Sequence, residues 1–139
     1  MSDLALDTQR LDHLISDSHG VYAGKHLLID LYGASRIDDL EWIKKAMKEA
    51  VIASKATLLH IHLHHFTPND GVSGVAVLAE SHISLHTWPE LQFASFDVFM
   101  CGDAEPEMAL DVFKEYFEPK SIGVKSYRRG DKISEYTDV

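Results

Sequence analysis

The chain has 139 residues, of which 45% are hydrophobic and 25% charged, and its formal net charge is −9. This size and composition predict one globular domain, and the negative charge argues against nucleic acid as a partner, because phosphate binding requires clustered lysines and arginines. No apolar run approaches the roughly 20 residues that span a bilayer, the amino terminus shows no secretory signal pattern, and Cys101 is the only cysteine. We therefore expect a soluble protein of the reducing cytoplasm, without a membrane partner.

Hydrophobic periodicity divides the chain into strands and two helices. Alternation with a period of two predicts strands, and apolar residues at helical spacing predict helices. Ser35 and Asp38 are expected to form a capping box that opens the first helix, and Pro106 is typical of the first turn of the second. The predicted strands are 25–32, 57–66, 74–80, 84–90, 94–101 and 121–128, and the predicted helices run from Ser35 to about Ser54 and over 105–117.

The order of these elements, with hairpins in the middle of the chain, predicts an α+β fold. We expect a two-layer α/β sandwich, in which a mostly antiparallel sheet carries the helices on one face. Residues 1–23 form a polar extension, for which a short docking helix and partial disorder both remain open. Its weak apolar stripe consists of Leu4, Leu11, Leu14 and Ile15. Residues 24–139 are expected to form the single domain.

The most unusual segment is an apolar strand that runs directly into Glu-Ser-His at 80–82. In the strand that follows, a period of two places His86, Trp88 and Glu90 on one face. Ser81 is thus a candidate nucleophile, His86 a candidate base and Glu90 a candidate carboxylate. The chain has no GxSxG elbow and no acidic residue placed to orient His86 in a hydrolase triad. The residues alone indicate a candidate nucleophile–base pair in a hairpin.

A second candidate site is the histidine-rich strand at 57–66. By parity, one face of this strand carries His60, His62, His64 and Phe66, and the other carries Leu59, Ile61 and Leu63. Three imidazoles spaced by two residues can bind zinc, although strand histidines near an interface are commoner. We keep a zinc site as one alternative and a non-catalytic binding protein as another.

Two motifs carry a resemblance to a known family. The run GVSGVAVLAESHISLHTWPE at 71–90, followed by FDVFMCGD at 96–103, resembles the prokaryotic S-adenosylmethionine decarboxylase proenzymes of the short, metal-independent type. The likeness extends back through HHFTP at 64–68 and GKHLLIDLYG at 24–33, so it covers about residues 24–130. It implies a carboxy-lyase that makes decarboxylated S-adenosylmethionine for spermidine biosynthesis, without a metal.

The resemblance also implies that this protein is a zymogen that cuts itself between Glu80 and Ser81. The products would be chains 1–80 and 81–139, and Ser81 would become a covalent pyruvoyl group. That group would form a Schiff base with the substrate and act as the electron sink that decarboxylation of an amino acid requires. The presence of Ser73, Ser81, His86 and Cys101 together disfavours a protein that only binds.

Individual roles follow from the same resemblance. Processing of the peptide bond is assigned to Ser73 and to His86 as the base. Protonation of the substrate carbon is assigned to Cys101, and a general acid typically contributes about 10²–10⁴-fold to such a step. Glu90 would bind the ribose hydroxyls. Trp88 and Phe66 would contact the adenine or the sulfonium.

The resemblance further implies a homodimer of cleaved protomers, with sites near the interface built from both. Two departures from the family pattern lie near the expected substrate pocket. The turn TPNDG after Phe66 is one residue longer than the commonest form, and Leu91-Gln92-Phe93 replaces a Tyr-Gly-Tyr-like segment. A pyruvoyl-dependent decarboxylase of ornithine or arginine therefore remains the alternative function.

Overall fold

The computed structural model describes residues 14–137. Its strands are β1 (Ile15–Asp17), β2 (Gly20–Tyr22), β3 (Gly24–Tyr32), β4 (Leu58–His65), β5 (Val72–Leu78), β6 (Ser81–Trp88), β7 (Phe93–Met100) and β8 (Ser121–Arg129), and its helices are α1 (Leu40–Ala53) and α2 (Glu107–Phe117). Six strands form one sheet in the order β4-β5-β6-β7-β3-β8, and every neighbouring pair is antiparallel. The predicted α+β sandwich is confirmed.

The end of the polar extension is a small hairpin of β1 and β2, not part of a helix. Ile15, which belonged to the predicted apolar stripe, lies on β1, and Leu4 and Leu11 lie outside the described residues. Arg128 joins this hairpin to β8, because its Nη1 donates to Asp17 Oδ2 at 2.6 Å and its guanidinium lies 3.8 Å from the centre of the Tyr22 ring.

The first helix begins later than predicted, because Asp39 and not Ser35 is its N-cap. The backbone N–H of Trp42 donates to Asp39 Oδ1 at 3.0 Å. Arg36 has a φ of +58°, a left-handed conformation that no helix continues through. The Ser35 hydroxyl instead donates to the Phe117 carbonyl at 3.2 Å, which ties the loop before α1 to the end of α2.

The hydrophobic core lies between the two helices and one face of the sheet. Phe96 of β7 stacks on Phe113 of α2 with ring centres 4.1 Å apart. Buried sheet residues such as Ile29, Ile83 and Leu85 form one cluster with the buried faces of both helices. Alternation within each strand therefore sends one set of side chains into this core and the other set to the opposite face of the sheet.

We call that opposite face of the sheet the open face. Its large apolar side chains are partly exposed, namely Leu28, Tyr32, Val77, Trp88 and Tyr127. The histidine strand β4 has one irregularity, since its register shifts between Leu58 and His60. Leu58 consequently packs against the core, and Leu59, predicted to share the face of Ile61 and Leu63, is 65% exposed.

Candidate active site

A two-residue turn between β5 and β6 brings Glu80, Ser81 and Cys101 together; we call these three residues the cleavage-turn group. Leu78 pairs with Ser81, so only Ala79 and Glu80 form the turn. Because β6 and β7 are antiparallel neighbours, the start of β6 lies beside the end of β7, where Cys101 follows Met100. The predicted strand 74–80 thus ends early, and Glu80 lies in the turn.

Cys101 contacts both groups that would react in a self-cleavage, the Ser81 hydroxyl and the Glu80 carbonyl. Its backbone N–H donates to Ser81 Oγ at 3.2 Å, and its thiol donates to the Glu80 carbonyl oxygen at 3.0 Å. The first contact orients the hydroxyl, and the second withdraws electron density from the carbonyl carbon that this hydroxyl would attack. A donor aimed at an oxygen that gains negative charge is the geometry of an oxyanion site.

The backbone at Glu80 is strained. Its φ is +61°, in the left-handed region that side-chain-bearing residues avoid. Such a conformation costs on the order of 1 kcal/mol or more, and it persists only where the surrounding structure holds it. The strands β5 and β6 on either side hold this turn, so the Glu80–Ser81 bond combines a polarised carbonyl with a strained backbone.

Partial burial keeps the Cys101 thiol protonated. Desolvation raises the pKa of this thiol above its ordinary value of 9.0, and the hydrogen bond with Ser81 opposes the rise in part. A thiol in this state is a hydrogen-bond donor and an acid, whereas the thiolate would be a nucleophile. The protonation state therefore suits both a carbonyl contact and a proton donor.

Ser73 and His86 form a second group on the open face. They are directly opposite each other in the β5–β6 register, and Ser73 Oγ lies 2.8 Å from His86 Nδ1. Gly74, next to this pair, lies too close to β4 for any side chain, because a Cβ there would be 2.5 Å from the His62 carbonyl oxygen. In the GVSG motif, Gly74 is thus required for packing against β4, and Ser73 contacts His86.

Aromatic side chains lie at the same end of the sheet as Ser73 and His86. Trp88 stacks on Phe93 with ring centres 5.1 Å apart, and its indole is 38% exposed. Phe66 follows β4 and is 44% exposed. Glu90 is exposed in a short 3₁₀ helix, Pro89–Leu91, so β6 ends before it and it does not share the strand face of His86, contrary to the prediction.

One protomer does not bring Ser81 and His86 together. They are five positions apart on β6, and a strand that rises about 3.4 Å per residue separates them by about 17 Å. By alternation along β6, Ser81 also lies on the same side of the sheet as the buried Ile83, whereas His86 lies on the open face. The prediction that Ser81 and His86 form a nucleophile–base pair within one hairpin is therefore wrong for a single chain.

A third group was missed from the sequence: His26, His82, Asp97 and Arg129, which we call the histidine–aspartate cluster. His26 Nε2 contacts Asp97 Oδ1, His82 Nε2 lies 3.5 Å from the same oxygen, and Arg129 Nη1 donates to His26 Nδ1 at 3.0 Å. The only signal for this cluster in the sequence was that each of its four strands has a polar residue at one of the alternating positions. The partners lie on four different strands, so only the β3–β7, β3–β8 and β6–β7 registers bring them together.

Within residues 14–137, the ligand atoms of His26, His82 and Asp97 form the one histidine, cysteine, aspartate or glutamate group compact enough for a metal. The zinc site considered for the β4 histidines is therefore not assembled in the described residues. The cluster itself is a poor metal site, because the Arg129 cation donates to His26 Nδ1 and leaves Nε2 to carry the proton towards Asp97.

Comparison with known proteins identifies the family. The family model described as S-adenosylmethionine decarboxylase matches residues 25–130. An S-adenosylmethionine decarboxylase proenzyme of Thermomicrobium roseum is 44% identical over 108 residues, which are 77% of this chain and 93% of the relative. One of Methanococcus maripaludis is 44% identical over 110 residues, covering 77% and 89%. The chain belongs to the S-adenosylmethionine decarboxylase family.

Solved structures of this family have the same fold. The adenosylmethionine decarboxylase of Aquifex aeolicus matches with a TM-score of 0.72 and 37% identity, over 78% of this chain and 92% of that one. A Trypanosoma brucei AdoMetDC monomer, at 21% identity and a TM-score of 0.51, shares the fold over 72% of this chain and 44% of its own. The family match contains all three groups, but not the β1–β2 hairpin. Among the described residues of this decarboxylase family member, no helix is long and apolar enough to cross a bilayer.

Proposed function

We propose that this protein is an S-adenosylmethionine decarboxylase proenzyme that cuts itself between Glu80 and Ser81. The products are chains 1–80 and 81–139, and the activity makes decarboxylated S-adenosylmethionine for spermidine biosynthesis. The observation that carries the proposal is the double contact of Cys101 with Ser81 Oγ and the Glu80 carbonyl at a strained turn. The family relatives are named for S-adenosylmethionine, so the ornithine or arginine alternative is not favoured.

Self-cleavage begins when the Ser81 hydroxyl attacks the Glu80 carbonyl carbon. A C–O bond forms, the C–N bond breaks, and the hydroxyl proton passes to the released amine, so that the acyl group moves from nitrogen to oxygen. The thiol of Cys101 stabilises the developing oxyanion. A base then removes the Ser81 α-proton, the Glu80 carboxylate leaves, and hydrolysis with loss of ammonia yields a pyruvoyl ketone at position 81.

The residues around position 81 fit this prosthetic group. When present, a pyruvoyl group supplies the electron sink for the electron pair that remains on the substrate after loss of carbon dioxide. Cys101 lines a pocket of about 260 Å³ with Glu80 and Ser81, and its protonated thiol is placed to donate to the substrate carbon. A reducing cytoplasm, which we propose as the compartment, keeps this thiol free.

The base and the substrate-binding residues come from a second copy of the chain. Ser73 and His86 lie about 17 Å from Ser81 along β6 and on the opposite face of the sheet, so they reach a cleavage turn only if a second sheet packs on the open face. A two-fold arrangement of two open faces builds two equal sites. Each contains the cleavage-turn group of one copy and the Ser73–His86 pair of the other.

The same arrangement places the substrate pocket at the interface. Phe66, Trp88 and Glu90 lie at the end of the sheet that carries the Ser73–His86 pair. Stacking on the exposed aromatic rings suits the adenine or the sulfonium, and the Glu90 carboxylate suits the ribose hydroxyls. Substrate would therefore bind to one copy and react at position 81 of the other.

Intact-mass analysis tests the proposal. Purified wild-type protein should give two chains, the second beginning with a pyruvoyl group, whereas Ser81→Ala should remain whole. The cut protein should release carbon dioxide from S-adenosylmethionine and not from ornithine or arginine. A folded wild-type chain that stays uncut on prolonged incubation would overturn the proposal, and release from the other amino acids alone would overturn its substrate.

Mixing two inactive variants tests the shared site. Ser81→Ala lacks the serine, and His86→Ala lacks the base, so each variant alone should stay uncut and inactive. In co-expressed protein, half of the dimers are mixed and each has one complete site, which predicts about a quarter of wild-type activity. The His86→Ala chain should be the one that is cut. An inactive mixture of confirmed mixed dimers would contradict the shared site.

A further inference from the structure

A pocket of about 340 Å³ lies on the open-face side of the cleavage turn. It is lined by His26, Glu80, Ser81, His82, Phe99 and Arg129. Three of these residues, His26, His82 and Arg129, are basic. The neighbouring Asp97 carboxylate contacts the imidazoles of both histidines. The turn that is cut therefore borders a pocket that can hold a negative charge.

Arg129 is a cation with no carboxylate within ion-pair distance among residues 14–137. Its Nη1 donates to His26 Nδ1, and no described acidic residue pairs with it. Its neighbour Arg128 differs, because Asp17 and Asp131 both lie 2.6 Å from its guanidinium. A guanidinium carries five N–H donors in a planar fork that matches a carboxylate, and within residues 14–137 the only side-chain acceptor of Arg129 is His26.

Cleavage creates a new anion at the edge of this pocket, in addition to the Glu80 side chain that lines it. Before the cut, the Glu80 carbonyl belongs to a neutral peptide bond and accepts from the Cys101 thiol. After the cut, it becomes an ionised α-carboxylate beside the Glu80 side chain. A carboxylate that stayed against Cys101 would further disfavour ionisation of the thiol and occupy the space where the substrate must react.

Among residues 14–137, two long basic side chains, those of Lys55 and Arg129, line the pockets beside the turn, and they differ in their partners. Lys55 lines the pocket on the Cys101 side, and its Nζ already lies 3.4 Å from Glu105. Arg129 lines the pocket away from Cys101, and no carboxylate of the described part of the chain pairs with it. We propose that Arg129, backed by His26, binds the new carboxy terminus at Glu80 and holds it away from Cys101. This inference rests on the proposed self-cleavage.

The test compares Arg129→Gln in cut and uncut protein at one fixed concentration. The uncut form is obtained in a Ser81→Ala background, and intact mass confirms the state of each sample. Arg129→Gln should lower the Tm of the cut form by on the order of 3 °C and that of the uncut form by less than about 1 °C. Arg129→Lys keeps the charge and should recover part of the loss.

Arg128→Gln is the matched control. It removes an arginine whose ion pairs exist before cleavage, so it should lower the Tm of both forms equally. Equal losses for Arg129→Gln in the two forms, or no loss in either, would overturn the inference, as would a loss specific to the cut form in Lys55→Gln instead. Wild-type protein that stays uncut would overturn the proposed function and the inference together, whereas the other outcomes leave self-cleavage standing.

Discussion

At the scale of single residues, the proposed mechanism gives Cys101 two tasks, because its side chain contacts the Glu80–Ser81 peptide and lines the pocket beside Ser81. Its thiol donates to the Glu80 carbonyl, and burial keeps it protonated. Both tasks need a hydrogen on sulfur. In the mechanism that we propose, one group therefore serves the processing of the chain and the later reaction, at different times.

Substitution of Cys101 should separate these tasks. Cys101→Ala removes the carbonyl contact and should slow self-cleavage by about 10²-fold, the usual cost of an oxyanion donor. Cys101→Ser keeps a donor and should cut within about tenfold of wild type, yet its weaker acid should lower kcat by about 10²-fold. An intact-mass time course and carbon dioxide release measure the two effects. A serine variant that cuts no faster than the alanine variant would refute the carbonyl contact.

The pKa of Cys101 can be measured directly, since the chain has no other cysteine. Alkylation by iodoacetamide requires the thiolate, and a raised pKa means that the thiolate forms only at higher pH. In folded Ser81→Ala protein, the alkylation rate should rise with a midpoint above pH 9.0, and in urea the midpoint should return towards that value. A midpoint below pH 9.0 in the folded protein would count against burial as the dominant cause.

At the scale of elements, the β5–β6 turn carries the peptide bond at which we propose the cut. Its two residues force Glu80 to a φ of +61° between two strands of a continuous sheet. Strain of this kind raises the energy of the uncut peptide and is released when the chain breaks. The strain belongs to the hairpin as a whole and is not a property of Glu80 in isolation.

Glu80→Gly should relieve this strain, because glycine adopts a positive φ at little cost. We expect self-cleavage to slow by roughly tenfold, the factor that corresponds to about 1.4 kcal/mol, while the fold is retained. Glu80→Gln is the control, since it keeps the strained backbone and removes only the charge, and it should cut at nearly the wild-type rate. If both variants cut at the same rate, strain contributes nothing.

Helix α1 depends on its N-cap. Asp39→Ala should lower the free energy of unfolding by about 1 kcal/mol, whereas Asp39→Asn should retain most of the cap. The hydrogen bond from the Trp42 N–H lowers the pKa of Asp39 below 3.8, so its carboxylate stabilises the fold above that pH and loses this effect as the pH falls through the lowered pKa. Urea unfolding in a Ser81→Ala background should show the alanine variant and wild type converging in acid.

The whole molecule is a sheet with one covered face and one open face. The Ser73–His86 pair lies on the open face, whereas the cleavage turn lies at the edge of the sheet beside Cys101. In one copy, these two groups of candidate residues are therefore apart. A single copy therefore holds all the necessary residues without assembling them. We therefore propose that pairing of two open faces is the condition for both cleavage and activity.

A charge on the open face should prevent this pairing. Leu28→Glu places a carboxylate at an apolar position of β3 that is 39% exposed, and burial of an unpaired charge is costly. We expect a folded monomer by light scattering that stays uncut. Ile52→Glu, at a position on α1 that is 74% exposed, should remain dimeric and cut normally. A cut Leu28→Glu monomer would contradict the shared site.

The sequence by itself determined the element types and the family. Period-two alternation identified the six strands of the main sheet, because alternation is a local property of the chain. The resemblance at 71–90 and 96–103 predicted the family, which the comparisons confirm, and the roles of Ser81 and Cys101, which stay predictions. The N-cap was misplaced because Ser35 and Asp39 offer equivalent local signals, and only the left-handed backbone at Arg36 decides between them.

The tertiary structure alone decided which of these residues meet. Strand register joined His26 to Asp97 and Arg129 across separate strands, and it placed Cys101 against Ser81. The same register separated Ser81 from His86, although they are close in sequence, because a strand extends its residues and turns alternate side chains to opposite faces. Proximity along a chain therefore did not predict the site, since contacts in a sheet are made between strands and, in the dimer that we propose, between two open faces.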